Sequence, residues 1–231
     1  MRVEPPHILT RSTRHRNTLG KNQNPAKIGV LPPKMWGLGS EIPQRSARQS
    51  LAKCAPQESN EGWGRASLST QRMQQLRGCT VERARELVGS WIELPKGRFR
   101  IWETEAYCGA DDPASHAHRG RTPRNAPMFA APGTVYVYLC YGMHHCFNLV
   151  TEQEGTPGAV LIRAVQMEDG QLIDGPGRVC RALEIDRYCN GKTLEELQWK
   201  LIPSQPPITV TASSRIGIRK AQELPWRFRA P

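Results

Sequence analysis

The chain has 231 residues and a formal net charge of +11, a size that suits one domain with additional flanking sequence. Its hydrophobic share is 38%, which is low for a chain that builds a core throughout. No apolar run approaches the ~20 residues of a membrane helix, so we expect a soluble protein with no membrane contact.

The basic excess is concentrated in the N-terminal third. Residues 1–77 hold 13 Lys and Arg against 4 acidic residues, whereas residues 78–231 hold 19 against 17. The start is rich in Pro, Arg, Asn and Ser without a sustained period of 2 or 3.6. We predict that residues 1–75 form a basic, disordered tail that suits a polyanionic partner, and that residues 76–231 form the folded domain. An Arg-rich, acid-poor start also suits a transit peptide.

The seven cysteines include no CxxC pair. Together with the absence of a recognisable secretory signal, they predict reduced thiols in a cytosolic or nuclear protein. Zinc binding is not favoured by this spacing.

Order is predicted to begin with a helix. The stretch TVERARELVGSW, residues 80–91, places apolar side chains through Trp91 on one helical stripe. Thr80 is positioned to act as its N-cap.

The next stretch, WIELPKGRFRIWETEAY, predicts two strands around a Pro-Lys-Gly turn. Strict alternation along the second strand puts Glu103, Glu105 and Tyr107 on the face begun by Phe99 and Ile101. A carboxylate at the end of an apolar strand face is a candidate general base, because partial burial raises its pKa. Exposed glutamates are the commoner outcome, and strand geometry alone does not choose between the two.

The loop after this strand combines histidines with cations. His116 and His118 could hold a metal with a nearby carboxylate, but most such pairs in loops do not, and no metal site is predicted. Arg119, Arg121 and Arg124 form a dense cationic group, which favours a nucleic acid partner over simple solvation.

A hairpin is the strongest strand signal in the chain. In GTVYVYLCYGMHHCFNLV, β-branched and aromatic residues flank Tyr141-Gly142-Met143, where glycine permits a turn. Four of the five tyrosines lie at positions 107, 136, 138 and 141. Tyrosines can fill a core, but one at a hairpin tip is better placed to contact a ligand.

Three further elements complete the predicted fold. Residues 158–165 read as an apolar strand, residues 175–185 as a turn opening a short helix, and the C-terminal region as a strand, a loop and an extended end. The fold class is therefore mixed α/β (α+β): a single domain with a curved, mainly antiparallel β core, flanking helices and a protruding hairpin.

Five stretches, in the same order, resemble the alkyladenine (3-methyladenine) DNA glycosylase family across roughly residues 79–231: ETEAYCGADDPASHAHRGRTPRNAPMF, PGTVYVYLCYGMHHCFNLV, AVLIRA, GPGRVCRAL and SRIGI with LPWRF. The resemblance implies a monofunctional base-excision-repair enzyme that flips a damaged purine from double-stranded DNA and hydrolyses its N-glycosidic bond. It implies no cofactor and a monomer, in the bacterial nucleoid or the eukaryotic nucleus.

The resemblance also implies individual roles. Glu105 matches the base that activates water, with Glu103 in support, and Arg163 lies near that water and a phosphate. Tyr107, His116 and Tyr138 match residues that hold the flipped base, and Asn148 matches the residue that crowds the 2-amino group of guanine. Tyr141 matches the wedge that enters the minor groove, with Met143 and the three loop arginines as further DNA contacts. Ile216 places backbone atoms by the water.

Two departures from the family pattern leave alternatives open. The segment of residues 165–174 is shorter than usual, and an aromatic pair expected before the first helix is missing. A non-catalytic binder of DNA lesions is the first alternative, and a metal-dependent hydrolase using His116 and His118 is the second.

Overall fold

The computed structural model describes residues 76–231, and the predicted basic tail lies outside the described residues. The described part contains two α-helices and nine strands. In chain order they are α1 (Thr80–Leu87), β1 (Trp91–Leu94), β2 (Gly97–Cys108), β3 (Val135–Cys140), β4 (His144–Val150), β5 (Gly158–Met167), β6 (Leu172–Asp174), α2 (Pro176–Ala182), β7 (Lys200–Ile202), β8 (Thr211–Ser213) and β9 (Arg227–Arg229).

The strands form one antiparallel sheet with β2 at its centre. The main order is β3-β4-β5-β2-β1-β7, with β6 beside β5, and β9 between β2 and β8. Strand β2 pairs with β5 along one edge, and with β1 and then β9 along the other. The predicted fold class, a mixed α/β domain with a mainly antiparallel sheet and a β-hairpin, is confirmed. Because β2 is covered on both edges, the acidic residues in its middle are carried into the interior.

The predicted strict alternation along β2 is wrong between Ile101 and Thr104. The register with β5 shifts there twice, from Ile101 opposite Val165 to Glu103 opposite Ala164, and then to Thr104 opposite Ile162. Such an irregularity in a strand changes the direction in which the neighbouring side chains point. Four consecutive residues, 103 to 106, are consequently buried.

Helix α1 is shorter than predicted. It ends at Leu87, Val88 is extended, and Trp91 begins β1 instead of continuing the helical stripe. Thr80 is not the N-cap: Cys79 takes that position, and the Thr80 hydroxyl donates to Glu152 Oε1 at 2.8 Å.

Helix α1 packs on β2 through apolar side chains and one buried hydrogen bond. Ala84 and Leu87 belong to the main core, and Thr104 Oγ1 donates to the Ala84 carbonyl oxygen at 2.7 Å. This contact lies on the face of β2 opposite to the face that carries Glu103 and Glu105.

The predicted hairpin is formed by β3 and β4. At its tip, Tyr141 and Gly142 both have positive φ, 50° and 71°, and the Met143 N–H donates to the Cys140 carbonyl oxygen at 3.1 Å. Positive φ at both central positions is what a type I′ turn requires. It is unfavourable for a tyrosine, so the Tyr141 backbone is strained.

The short segment that departs from the family pattern is ordered. Strand β5 turns back into β6, which pairs with it from Ala164 opposite Asp174 to Gln166 opposite Leu172. Asp174 then accepts a hydrogen bond from Arg229 Nη1 at 3.1 Å. The shorter link is therefore a compact hairpin that still reaches the residues around the β2 glutamates.

Among residues 76–231, five cysteines are free: Cys108, Cys140, Cys146, Cys180 and Cys189. Cys79 is not one of these free thiols, and the reduced state of the thiols stays a prediction. Among residues 76–231, none of the helices has the length and apolar character needed to span a bilayer.

Candidate active site

A cavity of about 620 Å³ opens beside the central strand. Its walls come from the end of β2, the β3–β4 hairpin, strand β5, and the loops that precede β3 and β9. This volume lies in the usual range for small-molecule pockets. Eight of the predicted site residues line it: Tyr107, His116, Arg124, Tyr138, Tyr141, Asn148, Arg163 and Ile216.

Glu105 lies directly behind the cavity wall with its side chain fully buried. Its Oε2 accepts a hydrogen bond from Tyr107 Oη at 2.8 Å, and its Oε1 accepts one from the Ile216 backbone N–H at 2.8 Å. Arg163 Nε lies 3.4 Å from the same Oε1. All three partners line the cavity, so the carboxylate lies at its wall.

The electrostatic balance at Glu105 favours a base of increased strength. Burial raises the pKa of this carboxyl, and the charge of Arg163 and the two hydrogen bonds oppose that effect without cancelling it. A carboxylate with a raised pKa binds a proton more readily when one is offered.

Glu103 has a different environment, although it is only two residues away. It accepts a hydrogen bond from Arg163 Nε at 2.9 Å, pairs with Arg229 Nη1, and has Arg227 Nη1 at 3.6 Å. Three guanidinium groups thus surround one buried carboxylate. Glu103 is therefore a charged anchor for Arg163, whereas Glu105 is the carboxylate beside the cavity.

Three aromatic rings form one wall of the cavity. The centroids of His116 and Tyr138 are 4.6 Å apart with an edge-on geometry, and those of Tyr136 and Tyr138 are 5.5 Å apart. None of the ring contacts found among residues 76–231 joins Tyr107 to this group. Tyr107 therefore stands apart as a second aromatic surface of the same cavity.

The aromatic wall is electrically neutral. His116 Nδ1 lies 2.9 Å from Tyr136 Oη, and partial burial together with the charge of Arg124 lowers the pKa of His116. Burial raises the pKa of Tyr136 to about 12 and also raises the pKa values of Tyr107 and Tyr138. All four groups are uncharged near neutral pH as a result.

Asn148 is held in a fixed orientation at the inner end of the cavity. Its Nδ2 donates to the carbonyl oxygens of Tyr136 and Cys146 at 3.0 and 3.2 Å, and the residue is only 3% exposed. A rigid polar group at this depth limits the shape of what can enter.

The mouth of the cavity combines exposed apolar side chains with cations. Tyr141 is 85% exposed and Met143 is 72% exposed. Arg124 lies over the Tyr138 ring at 5.9 Å, and Arg219 and Lys220 complete the basic rim. Among the predicted DNA contacts, Arg119, Arg121 and Met143 are exposed but do not line this cavity.

Sequence reasoning missed several residues of the site. Arg219 and Lys220 directly follow the RIGI motif, and their basic character was a usable signal. The ion pair of Asp112 and Arg215, next to Tyr107, was also missed. The sequence carried no sign of it because 103 positions separate the two residues.

The two histidines predicted as possible metal ligands have other contacts. His116 contacts Tyr136, and His118 Nδ1 lies 2.6 Å from the Ala110 carbonyl oxygen. Residues 76–231 contain no group of three or more His, Cys, Asp or Glu side chains that could hold a metal ion.

Aromatic walls, a buried carboxylate at the wall and a basic mouth are, as a class, features that suit a planar base attached to a phosphate backbone. A family model for methylpurine-DNA glycosylases matches residues 74–231. Proteins named "Putative 3-methyladenine DNA glycosylase" from Chlorobium phaeobacteroides, Desulfitobacterium hafniense and Methanocella arvoryzae are 42%, 40% and 42% identical to this chain over 169, 176 and 172 residues. The matches cover 64%, 63% and 64% of this chain and 86%, 87% and 86% of the relatives.

The chain therefore belongs to the methylpurine-DNA glycosylase family, which confirms the resemblance seen in the sequence. By that membership it is a DNA glycosylase for alkylated bases, and its substrate is DNA.

Proposed function

We propose that the protein is a monofunctional base-excision-repair glycosylase, which flips a modified purine out of duplex DNA and hydrolyses its N-glycosidic bond with an activated water molecule. The observation that carries this proposal is Glu105, a fully buried carboxylate held by Tyr107 and Ile216 against the wall of an aromatic cavity.

Glu105 acts as the general base. A water molecule between the carboxylate and the sugar gives up a proton to Glu105 as its oxygen bonds to the anomeric carbon, and the C–N bond electrons leave with the purine. The sugar carries positive charge in the transition state, and a nearby negative charge stabilises it. The charge of Arg163 lowers the pKa of Glu105 against the effect of burial, and so favours the ionised carboxylate.

The flipped purine lies in the slot between Tyr107 and the pair of His116 and Tyr138. Alkylation gives a purine positive charge, and electron-rich ring faces attract cations. A neutral His116 avoids repelling that charge, and its lowered pKa supports this state. Asn148, fixed by two backbone carbonyls, excludes normal guanine by crowding its 2-amino group.

The hairpin tip opens the duplex. Tyr141 and Met143 are exposed apolar side chains on a strained turn, and an apolar side chain can fill the gap that a flipped nucleotide leaves. Flipping costs a few kcal/mol and is cheapest for damaged bases, which is one source of selectivity. Arg124, Arg219 and Lys220 at the mouth suit the flanking phosphates.

Water is the nucleophile in this proposal, although Lys220 lies at the cavity mouth. The carboxylate that would activate water is inside the site, and no lysine occurs among residues 101–163. We further propose that the protein acts as a monomer without a cofactor. With DNA as the substrate, the location that we propose is the bacterial nucleoid or the eukaryotic nucleus.

Release of the damaged base from defined duplexes tests the proposal. Duplexes carrying one 3-methyladenine analogue, ethenoadenine or hypoxanthine are incubated with the protein, and strand breaks are scored with and without hot alkali. We expect abasic sites that break only in alkali, and no covalent adduct after borohydride. Lesion binding without abasic sites would instead identify a non-catalytic binder. An adduct trapped on Lys220 would overturn the monofunctional mechanism, and loss of activity with a chelator would indicate a metal-dependent hydrolase.

A further inference from the structure

A second buried ion pair lies outside the lining of the cavity. Arg215 and Asp112 have fully buried side chains. Arg215 Nη1 and Nη2 donate to Asp112 Oδ2 and Oδ1 at 2.6 and 2.9 Å, a bidentate pair. Neither residue lines the cavity, so the mechanism above leaves this pair without a role.

The pair connects three segments that carry the proposed site. Asp112 accepts hydrogen bonds from the backbone N–H groups of Cys108 and Ala114, at 3.2 and 3.0 Å, within the loop that leads to His116. Arg215 Nη1 also donates to the Ala106 carbonyl oxygen at 2.8 Å. The ion pair therefore ties the end of β2 and the loop after it to the loop that contains Ile216.

Arg215 also contacts the base-binding surface and the carboxylate's partner. Its guanidinium carbon lies 4.8 Å from the centroid of the Tyr107 ring and 5.1 Å from that of Trp226. The residue that follows it, Ile216, gives its backbone N–H to Glu105 Oε1 at 2.8 Å. Both neutral hydrogen-bond donors of Glu105 are thus held through Arg215.

We propose that the Asp112–Arg215 pair is the positioning device that holds Tyr107 and the Ile216 amide against Glu105. Neither residue touches the purine, the water or the sugar. The inference deepens the proposed function and rests on it. A fully buried ion pair is seldom retained for stability alone, because well-packed apolar residues of similar volume often stabilise a protein as well or better.

The test is the double variant Asp112→Asn/Arg215→Met, in which both charges are removed together so that neither is left buried and unpaired. Its matched control is Glu168→Gln/Arg98→Met, which removes an exposed ion pair of 2.6 Å between the start of β2 and the end of β5. Single-turnover base release, lesion-duplex affinity and the thermal midpoint are measured for both variants and the wild type.

We expect the double variant to remain folded, to release base at least tenfold more slowly, and to bind the lesion duplex within about threefold of the wild type. The control should match the wild type in all three measurements. An unchanged rate in a folded double variant would overturn the inference. If the wild-type protein releases no base, the proposed function fails first, so the two failures are distinguishable.

The pH profile separates positioning from a general loss of structure. Glu105 faces Arg163, Glu103 and Tyr107, and the Ile216 amide is one of the groups that lower its pKa. If the amide shifts, the acid limb of the rate profile moves to higher pH, which lower stability alone does not produce. If the double variant fails to fold, the same measurements are made on Arg215→Lys. Lysine keeps the positive charge but cannot form the bidentate pair with Asp112. A wild-type rate and acid limb in folded Arg215→Lys would overturn the inference.

Discussion

Replacing Glu105 with glutamine removes the proposed base while keeping the shape of the side chain. The amide oxygen of glutamine can still accept the hydrogen bond from the Ile216 N–H, which is now 2.8 Å long. The amide nitrogen can donate to Tyr107 Oη, so the second 2.8 Å contact is kept with donor and acceptor exchanged. Loss of a positioned general base lowers a rate by roughly 10²–10⁴. That factor corresponds to about 2.7–5.5 kcal/mol of transition-state free energy.

The same substitution should leave stability unchanged or improved. The pKa of Glu105 is raised in the folded state, so its ionisation destabilises the fold as pH rises above the unfolded-state pKa. Glutamine removes that destabilisation at neutral pH. Arg163 keeps its hydrogen bond to Glu103 at 2.9 Å and is not left unpaired.

Single-turnover base release, lesion-duplex binding and thermal unfolding of Glu105→Gln check these expectations together. We expect slow release, nearly unchanged lesion binding and a thermal midpoint at or above that of the wild type. Glu168→Gln makes the same chemical change on an exposed side chain and should release base normally. A Glu105→Gln protein that is folded and releases base within tenfold of the wild-type rate would refute the assignment of Glu105 as the base.

Other expectations address pH, the hairpin, the core and the tail. Base release should fall as the pH drops through the raised pKa of Glu105. Arg163→Gln removes the cation 3.4 Å from Glu105 and should move this acid limb of the pH–rate profile to higher pH. An acid limb that stays in place would show that Arg163 does not lower the pKa of Glu105. Tyr141→Gly should relieve the backbone strain of the positive φ of 50° and keep or raise the thermal midpoint. It should weaken lesion binding and base release, and unchanged base release would refute the wedge role of Tyr141. Thr104→Val should lower the free energy of unfolding by about 1–3 kcal/mol in urea titrations, because the buried Ala84 carbonyl loses its donor, and a neutral result would show that another donor satisfies it. Removal of residues 1–75, which lie outside the described residues, should weaken duplex affinity and flatten its salt dependence while base release persists; lost release would place the domain boundary elsewhere.

Most of the sheet could be predicted from the sequence because its signals are local. The two strands of the β3–β4 hairpin are rich in β-branched and aromatic residues and meet at a glycine, so both propensity and turn chemistry indicate the same structure. Short strands such as β6 and β7, with three residues each, were missed. They are formed by pairing with longer neighbours, and pairing is not a local property of the chain.

The errors have the same origin. The helix prediction ran on to Trp91 because its apolar side chain fits a helical stripe, whereas pairing with Arg100 across the β1–β2 turn places it in a strand. Likewise, no pattern within β2 reveals the double register shift opposite Arg163. The buried Asp112–Arg215 pair was invisible because its two halves are meaningful only when the fold brings them together.

The choice between the two glutamates of β2 shows what the fold adds to the sequence. Alternation treats Glu103 and Glu105 alike, and both prove to be buried, at 1% and 0% exposure. Three arginines surround Glu103, whereas Glu105 shares one of them and otherwise meets only neutral donors. Two carboxylates in unlike environments can take unlike roles, and burial raises the pKa of Glu105, the less neutralised of the two. A buried carboxylate whose charge is not fully offset by nearby cations and hydrogen bonds lowers the free energy of unfolding. Such destabilising groups concentrate at functional sites.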